Sequence, residues 1–126
     1  MSGTEQYQKN AHHTASNEHL VLLIYEKSIT LMWEARESLE KKEKLNAIEN
    51  LHLVRRLFME LQASLDEGGG EVSENLHRLY TYILKELSTA GFKGDTQSLE
   101  NAIAVAEELY EGFFEAFSAT SKQSGQ

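Results

Sequence analysis

The chain predicts an all-α fold, an antiparallel up-down four-helix bundle, and three observations carry that prediction. There is no proline in 126 residues, while Leu, Glu, Ala and Lys are abundant, a composition that favours long uninterrupted helices. Apolar residues recur with the 3.6-residue period in four separate runs. Glycines break the pattern at Gly68-Gly69-Gly70 and again at Gly91 and Gly94, where the backbone can leave the helical region freely. Helices of ~20 residues joined by short loops pack most readily against their chain neighbours in alternating directions.

Residues 1–16 are polar and lack a period, so they are expected to form a mobile N-terminal arm with Tyr7 as its one large side chain. Ser16 suits an N-cap, since its hydroxyl can accept from a free N–H of the first turn. The first helix is expected from about Asn17 to Lys41. Leu20, Ile24, Leu31, Ala35 and Leu39 share one side, with Val21, Tyr25 and Met32 beside them. Leu22, Ile29 and Trp33 widen the arc beyond the ~100° that one core requires. The second helix, from about Leu45 to Leu65, has Ala47, Leu51, Val54, Phe58, Leu61 and Leu65 on its stripe. Ile48 and Met59 lie on a flanking line with Arg55 between them.

The third helix follows Gly70 and ends near Ala90, with Val72, Leu76, Leu79, Ile83, Leu87 and Ala90 as its stripe. Tyr80 and Tyr82 sit about 160° apart at ~100° per residue, so one of them must face outward. Tyr82 is the one opposite the stripe. A turn is expected over 91–94, and Asp95 or Thr96 caps the fourth helix. That helix carries Leu99, Ala102, Ala106, Leu109, Phe113 and Phe117 inward, with Ile103, Tyr110 and Phe114 on a flank. The bundle thus spans 17–117, and 118–126 reads as a polar C-terminal tail.

The formal charge of −8 and pI near 5.1 disfavour nucleic acid, which asks for a basic face, and an anionic membrane surface. The longest apolar run, Leu20 to Tyr25, is far short of the ~20 residues of a membrane span. Without a basic-then-apolar leader pattern, the protein is expected in the cytoplasm. The absence of cysteine removes disulfide and thiolate chemistry.

Glu-Asn-Leu-His occurs twice, at Glu49 to His52 and Glu74 to His77. Two such pairs are half the ligand set of a di-iron carboxylate bundle, provided they project inward. They do not. Glu49 and His52 fall roughly 140–160° from the centre of their core stripe, His77 about 90° and Glu74 about 150°. Solvent-facing polar residues are the better reading. His12 and His13 in the arm lack neighbouring ligands. No Ser-His-Asp order, P-loop or dinucleotide fingerprint is present. The residues therefore support no enzyme, no metal and no cofactor, and leave a binding protein, of which a regulatory or adaptor bundle is one form.

Several segments in order resemble the flagellar secretion chaperone family FliS over nearly the whole chain. They are Tyr7, Thr14-Ala15-Ser16, Leu20 with Leu23-Ile24-Tyr25-Glu26, Leu61 with Leu65-Asp66 and Gly69-Gly70-Glu71. Asn75-Leu76, Leu79-Tyr80, Tyr82-Ile83 and Leu87 with Ala90 complete the series. Asn17 stands where the family often has proline, and Phe113 where it has a late tryptophan. The resemblance implies a cytosolic chaperone that binds the C-terminal segment of flagellin, prevents its premature polymerisation and delivers it to an export-gate protein. Tyr7 would then contact the gate. Client-contacting residues would be Ile48, Met59, Tyr82, Ile103, Tyr110 and Phe114, lining one groove if the flanks are continuous. The plain alternative is that these edge residues only widen the core.

Overall fold

A computed structural model describes residues 3–65 and 68–124, with side chains described over 17–65 and 68–119. Its elements are α1 (Gly3–Glu40), α2 (Lys44–Ala63), α3 (Gly70–Lys93) and α4 (Thr96–Ser124). Among the described residues there is no strand. Each helix packs on its neighbours in the chain, and α1 packs on α4 to close the ring. The pairs Arg36–Glu100, Trp33–Glu107 and Tyr110–Glu26 descend along α1 as they climb α4, so these two helices run antiparallel.

The turns follow from local chemistry. At the end of α1, the Glu43 N–H donates to the Ser38 carbonyl at 2.8 Å and the Lys42 N–H to the Leu39 carbonyl at 3.1 Å. This is a Schellman ending, and it places Lys42 at φ 61°. A side chain in that left-handed position costs roughly 1–2 kcal/mol relative to glycine. At the next corner Gly94 takes the left-handed position at φ 67°, and its N–H donates to the Ala90 carbonyl. Asp95 then caps α4, accepting from the Gln97 N–H and the Ser98 hydroxyl at 3.0 Å each. The cap matches the sequence expectation; the turn does not, because α3 continues through Gly91 to Lys93. Gly91 lies against Leu51 of α2, close enough that an added methyl would touch it.

Helix ends differ elsewhere too. α1 is helical from Gly3, so Ser16 is not at a helix start, and α4 runs on to Ser124 rather than ending near Phe117.

The core is built around one aromatic residue from each helix. Tyr25 of α1 packs edge-on to Phe58 of α2 at 5.8 Å and against Phe113 of α4 at 5.6 Å; Phe58 meets Tyr80 of α3 at 5.9 Å. The hydroxyls of Tyr25 and Tyr80 share a 2.7 Å hydrogen bond across the bundle's diagonal. Burial pushes both phenols above their ordinary range. Fully buried Ala35, Ala47, Ala90, Ala102 and Ala106 let the helices approach closely around this centre. Leu51, Val54, Ile83, Leu87 and Leu99 fill the layers above and below.

Some stripe residues fall outside the core. Leu20 and Val72 are exposed. Tyr25 meets Phe58, so Leu20 lies level with the end of α2 at Ala63, where cover runs out. Val72 occupies the first turn of α3, similarly past that end. Leu79 is displaced to the edge because Tyr80 takes the central position. Leu76, Leu109 and Phe113 are partly buried against the core.

Candidate partner-binding surface

Open grooves follow the helix seams on the outside of the bundle. Along α2 and α3, a groove of about 510 Å³ has Leu51 and Leu87 as its floor, with Ile48 of α2 and Phe92 of α3 beside it. His52 and Arg55 of α2 and Lys93 of α3 line it as well. Further along the same seam Gln62 bridges the helices, donating to the His77 carbonyl at 3.2 Å and the Thr81 hydroxyl at 2.9 Å. Beyond this bridge a second cleft lies between Ala63 and Leu65 on one side and Ser73, His77 and Arg78 on the other.

The seam between α1 and α4 has the opposite electrostatic character. Glu26, Glu107 and Glu111 rim a groove that also contains Ile29 and Tyr110. The Tyr110 hydroxyl donates to Glu26 at 3.1 Å. Desolvation and this carboxylate together raise the Tyr110 pKa. The Trp33 indole N–H donates to Glu107, and the Arg36 guanidinium lies 5.9 Å from the centre of the Trp33 ring. Arg36 is held charged chiefly by its hydrogen bond to Glu100.

The expected contact residues are distributed over three different seams rather than one groove. Ile48 lines the α2–α3 groove, and Met59 is exposed one turn beyond Arg55 on the same helix. Tyr82 is 41% exposed. It lies one turn from Glu86, which accepts from Asn101 of α4, and about 100° around the helix from Thr81, which faces α2. Tyr82 therefore belongs to the α3–α4 side. Tyr110 lines the α1–α4 groove, and Phe114 stacks on it at 6.0 Å while remaining exposed.

Ile103 is a correction. It is only 2% exposed and belongs to the core cluster, so it presents no surface to a partner. The Tyr7 side chain lies outside the described side chains. Sequence reasoning missed Phe92, 86% exposed on the last turn of α3, because residues 91–94 were expected to form a turn. A bulky aromatic between two glycines was the signal that could have found it.

The Glu-x-x-His pairs project as their helical positions require. Glu49, His52, Glu74 and His77 are all exposed, and no group of three or more acids or histidines among the described residues is placed to hold a metal ion. Among the described residues, no helix is long and apolar enough to cross a membrane.

Comparison with known proteins agrees on one family. The family profile described as "Flagellar protein FliS" matches residues 1–120. A protein named flagellar secretion chaperone FliS from Bacillus subtilis (strain 168) is 24% identical over 116 residues, covering 92% of this chain and 86% of that protein. Its namesake from Salmonella typhimurium (strain LT2) is 28% identical over 102 residues, covering 79% and 76%. A crystal structure described as a flagellar chaperone from bacteria superposes with a TM-score of 0.75 at 21% identity, covering 82% of this chain and 85% of that one. That superposition speaks for the fold.

Proposed function

Because the chain belongs to the flagellar protein FliS family, we propose that it is a flagellar secretion chaperone. In this reading it is a cytoplasmic, non-catalytic bundle that binds the C-terminal segment of flagellin, prevents premature polymerisation and brings the client to the export gate. The observation that carries the reading is the apolar surface a finished core leaves uncovered. Ile48 and Met59 on α2, Tyr82 and Phe92 on α3, and Phe114 on α4 remain exposed although the bundle is closed. These residues border separate seams, which suits an extended client that wraps the bundle and folds into short helices as it docks. Ordering such a segment costs free energy, and a long wrapped contact offsets it. In this scheme Tyr7 serves the gate rather than the client.

The test is titration calorimetry of the whole chain with a flagellin C-terminal segment. Binding should show a negative heat-capacity change, the mark of apolar burial. Tyr82→Glu should weaken binding by roughly 10- to 100-fold, because a carboxylate that water solvates in the free bundle is desolvated under the client. An unchanged affinity removes Tyr82 from the contact. A folded chain that binds no flagellin segment refutes the export-chaperone reading and leaves an adaptor of folded proteins. For the arm, Tyr7→Ala should preserve client binding and lower gate binding by the loaded complex; equal gate binding refutes that role.

A further inference from the structure

We propose that the α2–α3 groove between Ile48 and Phe92 is the seat of one helical turn region of the client, and that it selects a segment bearing an acidic side chain. The proposal rests on the reading of the chain as a chaperone for a flagellin segment, and deepens it to the chemistry of one contact.

Charge is the first argument. The chain carries a net −8, and the α1–α4 groove is rimmed by three glutamates. The α2–α3 groove is lined by His52, Arg55 and Lys93 and by no carboxylate at all. The nearby acids are engaged elsewhere. Glu49 lines the cleft toward α1, Glu86 accepts from Asn101 of α4, and Asp95 caps α4. The ion pairs of the described residues are made by Arg36 and Lys41.

Arg55 is the second argument. Its Nε is buried without a hydrogen-bond acceptor. A buried donor left without a partner is costly, and a guanidinium binds a carboxylate through two parallel hydrogen bonds. A carboxylate entering the groove gives the Arg55 guanidinium an acceptor that the described residues do not provide, and Lys93 of α3 lines the same groove nearer its Ile48 end.

Shape supplies the rest. Between the cations lie Leu51 and Leu87 at the floor, with Ile48 and the exposed Phe92 ring alongside. The groove runs parallel to two antiparallel helices, and Ile48 to Arg55 spans about 10 Å at ~1.5 Å per residue. A third helix laid along it presents apolar residues at i and i+3 or i+4 to the floor, with an acid on its flank toward Arg55. The whole arrangement favours an Asp or Glu side chain within the segment over a chain terminus, because the groove is open along its length and the cations stand on its sides.

The experiment measures binding of a fluorescent flagellin C-terminal segment to the full chain. Arg55→Gln should weaken it roughly tenfold or more and Lys93→Gln severalfold, with Arg56→Gln as an unaffected neighbour. Replacing each Asp and Glu of the segment in turn by its amide should identify one position whose loss matches that of Arg55→Gln, with no further loss when both changes are combined. If Arg55→Gln unfolds the bundle, Lys93→Gln on the exposed last turn of α3 carries the same comparison. Binding by both groove variants within twofold of the unaltered chain overturns the proposal while leaving the chaperone reading intact. Sensitivity only to amidation of the segment's terminal carboxylate also overturns it. Failure of the unaltered chain to bind the segment refutes both.

Discussion

The hydrogen bond between Tyr25 and Tyr80 gives the most exacting test of how this core is held together. The two hydroxyls meet at 2.7 Å, and their residues are 0% and 2% exposed. They come from α1 and α3, which face each other diagonally and make no backbone approach. Deleting one hydroxyl by Tyr25→Phe or Tyr80→Phe leaves its partner buried and unpaired, at a cost of roughly 1–3 kcal/mol. Deleting both removes the orphan along with the bond. The ring contacts to Phe58 and Phe113 survive in every variant. The double variant should therefore cost less than the two single costs combined, by about 1–3 kcal/mol of coupling. Urea denaturation of the four proteins, with unchanged slopes, measures this directly. Single costs that add to within about 0.5 kcal/mol would refute the argument, since groups more than ~7–10 Å apart without shared partners behave that way.

The same pair predicts an alkaline limit. A buried tyrosine whose folded pKa lies above its unfolded value contributes fully below the unfolded value near ~10, and that contribution is lost as the pH climbs from there toward the folded value. The loss is about 1.4 kcal/mol per pH unit for each tyrosine. Melting curves from pH 8 to 11 should fall more steeply for the unaltered chain than for the double Phe variant; parallel curves would exclude the tyrosines. The register of α3 makes a separate prediction. Ile83→Ala, at a fully buried position, should destabilise by roughly 2–5 kcal/mol. Val72→Ala, at 69% exposure, should change stability by less than about 0.5 kcal/mol. Equal effects in denaturation would place the helix in the wrong register.

Legibility in the sequence followed how far each position depends on neighbours. The stripe of α2 was readable because Ala47, Leu51, Val54, Phe58 and Leu61 obey one period and all are buried. The outward turn of Tyr82 was readable for the same reason. That Tyr80 rather than Leu79 takes the central position was not, because its polar tip is accommodated by Tyr25, 55 positions away in the chain. Lys42 gave no glycine signal for a left-handed turn. Ile103 shows the effect most plainly. On a wheel it lies off the centre of the α4 stripe, about 100° from Ala102. Yet Ala102 and Ala106 are so small that α4 can sink close to its partners, and the flank beside them becomes covered. Lower on the same helix the stripe changes to Leu109 and Phe113, which are only partly buried, and there Phe114 stays uncovered. Exposure along one flank is thus set by the size of the residues beside it. On α4 the uncovered surface begins where alanine gives way to larger side chains, and no periodicity measured along that helix contains this information.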